Sequence, residues 1–165
     1  MNPSETLSTI AELALGLAGF TGVLVVLGRR PGRFSPGEGF RLAVLLVASL
    51  SALFLSLIPL VLHDFGLAGA PLWRVSSGLM AISVLCSGAL LARPLGRFRG
   101  SESEAYSAWV LVSLTTGAGV VVLVQLINST GLLWPTGQGS YSFGLLFLLA
   151  GAVVQFVRIL FVRTE

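Results

Sequence analysis

One carboxylate stands out among the residues able to do chemistry in this chain. Glu12 is the only acidic side chain well inside an apolar stretch, about 7 Å of helix rise beyond the first apolar residue, Leu7. Charge is costly at such depth, so an acid there is a candidate for binding or moving an ion or proton. Other polar residues fall at the same end of neighbouring apolar stretches: His63 with Asp64, Arg74, and Gln125 with Asn128. Together they define an expected polar vestibule of Glu12, His63, Asp64, Arg74, Gln125 and Asn128. Each also has a plain structural use. Glu12 suits a helix cap or the interfacial layer, and His63-Asp64 suits a helix end in water. Arg74 suits snorkelling beside Trp73 or pairing with Glu12 or Asp64. The two amides suit hydrogen bonds between helices.

Metal and catalytic chemistry find little support. A single histidine gives no histidine cluster within one chain, and the lone Cys86 permits no intrachain disulfide. Cys86 reads as a small packing residue. There is no H-E-x-x-H, G-x-S-x-G or Walker-type run. The expectation is a non-enzyme without cofactor or metal.

The elements that must carry these residues are membrane helices. Of the 165 residues, 55 % are hydrophobic and 10 % charged; a soluble domain carries about 25 % charge. The mean hydropathy is +0.93. Five apolar spans read at about 7–27, 42–62, 75–92, 107–127 and 141–162, each long enough to cross a hydrocarbon layer of about 30 Å. The third is the shortest and reads as the weakest. The expected fold is all-α: one polytopic membrane bundle of five transmembrane helices over residues 1–165. The N-terminus lacks the basic region of a cleaved signal peptide. Asn2 as cap, Pro3 at the first helical position and Glu5 three residues past the cap read as a helix start.

Arginine orients the bundle. Arg29, Arg30, Arg33 and Arg41 flank the first connection, Arg93, Arg97 and Arg99 the third, and Arg158 and Arg163 the C-terminal end. Only Arg74 lies on the other side. The positive-inside rule then places the N-terminus outside and the C-terminus in the cytoplasm. Reporter fusions ending after Arg33, after Arg99 and at the C-terminus are expected to report cytoplasm, and fusions near Gly69 and Gly137 the exterior. A cytoplasmic signal at Gly137 would refute the orientation. Ten arginines with no lysine, among abundant Gly, Ala, Leu and Val, read as a GC-rich bacterial coding sequence, hence a bacterial inner membrane. The net charge of +3 is explained by these flanks, so nucleic acid is not an expected partner. The lipid bilayer is, with a second copy or another membrane protein beside it.

Two sequence patterns concern assembly. Residues 27–34, LGRRPGRF, recur as LARPLGRF at 91–98, with Glu38/Glu102 and Ser49/Ser113 at the same offset. This fits a repeat of hairpins 1–64 and 65–128, and fits equally the demand of any such hairpin for Arg, Gly and a turn breaker. Small residues mark packing faces, because lipid-embedded helices associate through close backbone approach and polar contacts. The expected packing glycines are Gly16, Gly19, Gly22, Gly117 and Gly151. Small residues run most of the way round the first span, more than one neighbour requires. Trp73, Trp109, Trp134, Tyr106 and Tyr141 fall near span ends and read as an aromatic belt. Two function classes follow: an interaction or accessory subunit that assembles through helix faces, or a small oligomeric transporter or channel using the Glu12 vestibule.

Overall fold

The computed structural model describes residues 3–27, 36–95, 108–132 and 137–161. They form five helices and, among the described residues, no strand: α1 Pro3–Leu27, α2 Pro36–Asp64, α3 Ala70–Leu95, α4 Ala108–Thr130 and α5 Gln138–Phe161. All five are long and apolar enough to cross a membrane. Most of the arginine-rich connections and of the two repeated stretches lie outside the described residues, as do Tyr106, Trp134 and the side chain of Trp109.

The local sequence explains the helix ends. Pro3 and Pro36 open α1 and α2, where a missing N–H costs nothing. At the end of α2, Gly66 takes φ +87°. The Leu67 N–H donates to Leu62 O at 3.0 Å, and the Gly66 N–H to His63 O at 2.9 Å. These are the two bonds of a Schellman cap, which needs the left-handed residue that glycine supplies. Gly131, at φ +72°, ends α4 with its N–H donating to Asn128 O at 3.1 Å. The third span is not the shortest: its helix starts at Ala70, ahead of the expected 75, and its candidate span is longer than those of α1 and α4. Averaged over its whole length it is the least apolar of the five helices, as expected. Pro71 and Arg74 delayed the sequence boundary, but both are tolerated in a first helical turn.

Helices α1 to α4 form an open arc in chain order, each packed on the next, and α5 packs against all four. Neither α1–α3, α1–α4 nor α2–α4 pairs pack together. The last helix of the chain is thus the centre of the bundle. Its Tyr141, Leu145 and Ala152 are fully buried. One apolar cluster at the end opposite the arginines joins Leu7 and Ile10 of α1, Leu55 of α2, Trp73 and Met80 of α3, Val121 of α4 and Tyr141 of α5. Trp73 and Tyr141, expected in a lipid-facing belt, are core residues instead, with ring centroids 5.8 Å apart. The reason is the central place of α5, which turns Tyr141 inward. Cys86 is exposed rather than packed, on the outer side of α3.

Candidate functional site

The end of the bundle that carries the expected vestibule is held by polar bonds between helices. Asn128 donates from Nδ2 to Ser77 Oγ at 2.7 Å and to Gly137 O at 3.0 Å, tying α4 to α3 and to the start of α5. Gln125 donates from Nε2 to Ser140 O at 2.7 Å. The Gly137 carbonyl also accepts from Ser140 Oγ and from the Tyr141 N–H. Both amides are buried. Each bond removes a polar group from apolar surroundings where leaving it unmade is costly.

A less expected bond joins α5 to α2. Pro59 lies inside α2 and is buried. Proline has no N–H, so the carbonyl four residues earlier, Leu55 O, loses its helical donor. The Tyr141 hydroxyl donates to that oxygen at 2.5 Å. Pro59 is legible in the sequence as a helix kink; the dedicated donor on another helix for the carbonyl it frees is not.

The remaining vestibule residues are placed apart. His63 and Asp64 are exposed at the end of α2. Arg74 packs on neither of its expected partners. A Cβ added to Gly131 would overlap the Arg74 guanidinium, so the cation lies over the C-terminus of α4. Unsatisfied carbonyls and the negative end of the helix dipole favour a cation there. Glu12 is exposed on α1, which does not pack on α3 or α4. The structure brings Gln125 and Asn128 together with Ser77 and Gly137, sets Arg74 over Gly131 beside Asn128, and places Glu12, His63 and Asp64 at exposed positions. The sequence placed these residues at one level, and level says nothing about which helices are neighbours.

Glu12 is within the apolar zone by its neighbours along α1. Toward the N-terminus, Leu7 and Ile10 enter the apolar cluster. Toward the C-terminus, Phe20 meets Phe156 of α5 edge-on at 5.2 Å. Glu12 lies between these contacts on the opposite face, and no ion pair is recorded for it among the described residues.

The expected packing glycines divide in two. Gly117 approaches Phe147 so closely that a Cβ would overlap the ring, and a Cβ on Gly151 would meet Leu114 Cδ2 at 3.6 Å. Gly16, Gly19 and Gly22 have nothing within 4 Å of a Cβ position. Their face of α1 is not used inside the chain. The tightest approach among the glycines of α5 is at Gly144, which is not one of the expected packing glycines. A Cβ there would overlap Met80 Sδ and lie 2.7 Å from Gln125 Nε2.

Comparison with models of known families, with characterised proteins and with solved structures found no match. The reading of function rests on the residues alone.

Proposed function

We propose that this multi-pass membrane protein is a self-assembling subunit whose α1 face contacts a second copy. The observation that carries the reading is Glu12: an exposed carboxylate between two apolar anchor points of α1, with Gly16 and Gly19 open on the same face of the helix and Gly22 open beside them. An acid facing lipid near a helix centre costs on the order of 3 kcal/mol. A neighbouring helix seated on the glycines shields it and offers a hydrogen-bonding partner. Close backbone approach at glycines is how such helices associate in lipid. The surplus of small residues on the first span has the same explanation.

The test is the mass of the particle in phosphatidylcholine nanodiscs, read with disulfide cross-linking in a Cys86→Ala background. Wild type is expected at a multiple of the chain mass. Gly16→Cys is expected to cross-link efficiently, and Ile82→Cys, exposed on α3, weakly. Gly19→Leu, which places a bulky side chain in the contact, is expected to shift the particle toward monomer. A monomeric wild type without a Gly16→Cys cross-link would end the proposal.

The second reading, transport through the assembled particle, draws on the same carboxylate, since ionisable groups inside a membrane often mark ion or proton routes. Glu12→Gln separates the two. It abolishes proton flux into liposomes if Glu12 carries protons, and leaves no flux to lose if Glu12 serves assembly alone.

A further inference from the structure

We infer that the arginine-end half of the bundle holds a binding site for a linear amphiphile, an aliphatic chain carrying one hydrogen-bond donor. This site is separate from the α1 face and does not rest on it. Helices α2 and α4 do not pack together. Between them, bridged by α3 and α5, is a cavity of about 300 Å³. That is at the small end of the range for small-molecule pockets. Small residues line it: Ala48 on α2, Gly88 on α3, Ala118 on α4 and Gly151 on α5. In lipid such residues normally draw helices into contact. Gly88 leaves space instead: a Cβ on it would meet nothing within 4 Å.

Gln155 is the one fully buried polar side chain in a lining that also holds Ser51, Ser87 and Thr115, and it sets the chemistry of the ligand. Gln155 lines the cavity and is 1 % exposed, and its Oε1 has no hydrogen-bond partner among the described residues. A buried acceptor without a donor is unfavourable, and a ligand hydroxyl or amide N–H removes that cost. Gln155 is the cavity residue of α5 nearest the arginine end, one turn before Arg158, while Phe147 lies two turns deeper. The walls toward the middle of the bundle, Val84, Phe147 and Leu148, are apolar. The donor therefore sits at Gln155 and the aliphatic tail runs toward Phe147. The tail runs along mainly apolar walls past the hydroxyls of Ser51, Ser87 and Thr115, and the donor at Gln155 sets its direction.

The experiment uses the full chain in phosphatidylcholine nanodiscs, since that lipid has no hydrogen-bond donor. The probe is a hexadecanol bearing a photoreactive diazirine in its chain, competed with plain hexadecanol or with hexadecyl methyl ether, which accepts but does not donate. Labelling is expected on the cavity faces of α3 and α5, saturable, and competed better by the alcohol than by the ether. Gln155→Leu is expected to weaken competition by the alcohol about 2- to 10-fold, the equivalent of one neutral hydrogen bond, and to leave the ether unchanged. A Cβ at Gly88 meets nothing within 4 Å, and Gly88→Leu, which adds its side chain at the cavity wall, is expected to exclude both competitors, which keeps the test decisive if Gln155→Leu does not fold. Labelling spread over the lipid-facing sides of the helices without competition would overturn the site. Equal weakening of alcohol and ether by Gln155→Leu, or a retained phosphatidylcholine that the alcohol does not displace, would overturn the role of the donor.

Discussion

Tyr141→Phe is expected to destabilise the bundle by about 1–3 kcal/mol, and Pro59→Ala to remove most of that loss. The hydroxyl of Tyr141 donates to Leu55 O, the carbonyl that Pro59 deprives of its helical partner. Phenylalanine fills the same space, so the substitution isolates the bond. It strands an acceptor in the interior of the bundle, and the cost is that of an unmade hydrogen bond rather than the smaller net value of a made one. Alanine at 59 restores an N–H to α2, and Leu55 O then has a donor whether or not Tyr141 carries its hydroxyl. The two substitutions must therefore be non-additive, with a coupling of about 1 kcal/mol or more, within the usual range for residues sharing one network. Reversible unfolding in mixed detergent micelles, for wild type, both singles and the double, gives the cycle. Additive losses would show that the Tyr141 hydroxyl contributes nothing through Leu55.

Gly144→Val is expected to cost about 3 kcal/mol or more and to detach α5 from α3 and α4. Even a Cβ at this position overlaps Met80 Sδ and presses on Gln125 Nε2. Met80 is flexible and fully buried, so its sulfur can move only by displacing other core side chains. Movement of Gln125 breaks its bond to Ser140 O, the link from α4 to the start of α5. Overpacking alone costs about 1–3 kcal/mol, and the stranded amide adds to it. The companion substitution Gly119→Val has open space and serves as the control: it is expected to change stability by less than about 1 kcal/mol. Thermal aggregation temperature and the unfolding midpoint of both variants give the comparison. Equal behaviour would mean that α5 does not approach α3 through Gly144.

The two substitutions probe one arrangement. In the half of the bundle opposite the arginines, Asn128, Gln125, Tyr141 and the approach at Gly144 hold α5 to its neighbours. The arginine-end half has a cavity between α2 and α4. The exposed face of α1, with Glu12, lies outside both.

By itself the sequence determined the class of protein and the linear order of its parts. Five apolar runs of membrane-crossing length predict the five helices with ends displaced by a few residues, because length and solvent preference are properties of a single segment. Depth is also local: residues near span ends sit near the ends of the bundle. The tertiary structure decided everything that depends on which helix faces which. In water an amphipathic stripe tells a helix where its core side is. In lipid both the packed face and the outer face are apolar, so that signal is lost. Hence α5, which reads as an appendage to two hairpins, is the centre of the fold, and Trp73 and Tyr141 turn inward. Arg74 lies over the end of α4 at Gly131, away from Glu12. The same loss of signal hid the cavity: a small residue in one helix does not tell whether it meets a neighbour, and only the arrangement of Ala48, Gly88, Ala118 and Gly151 across four helices leaves space beside Gln155.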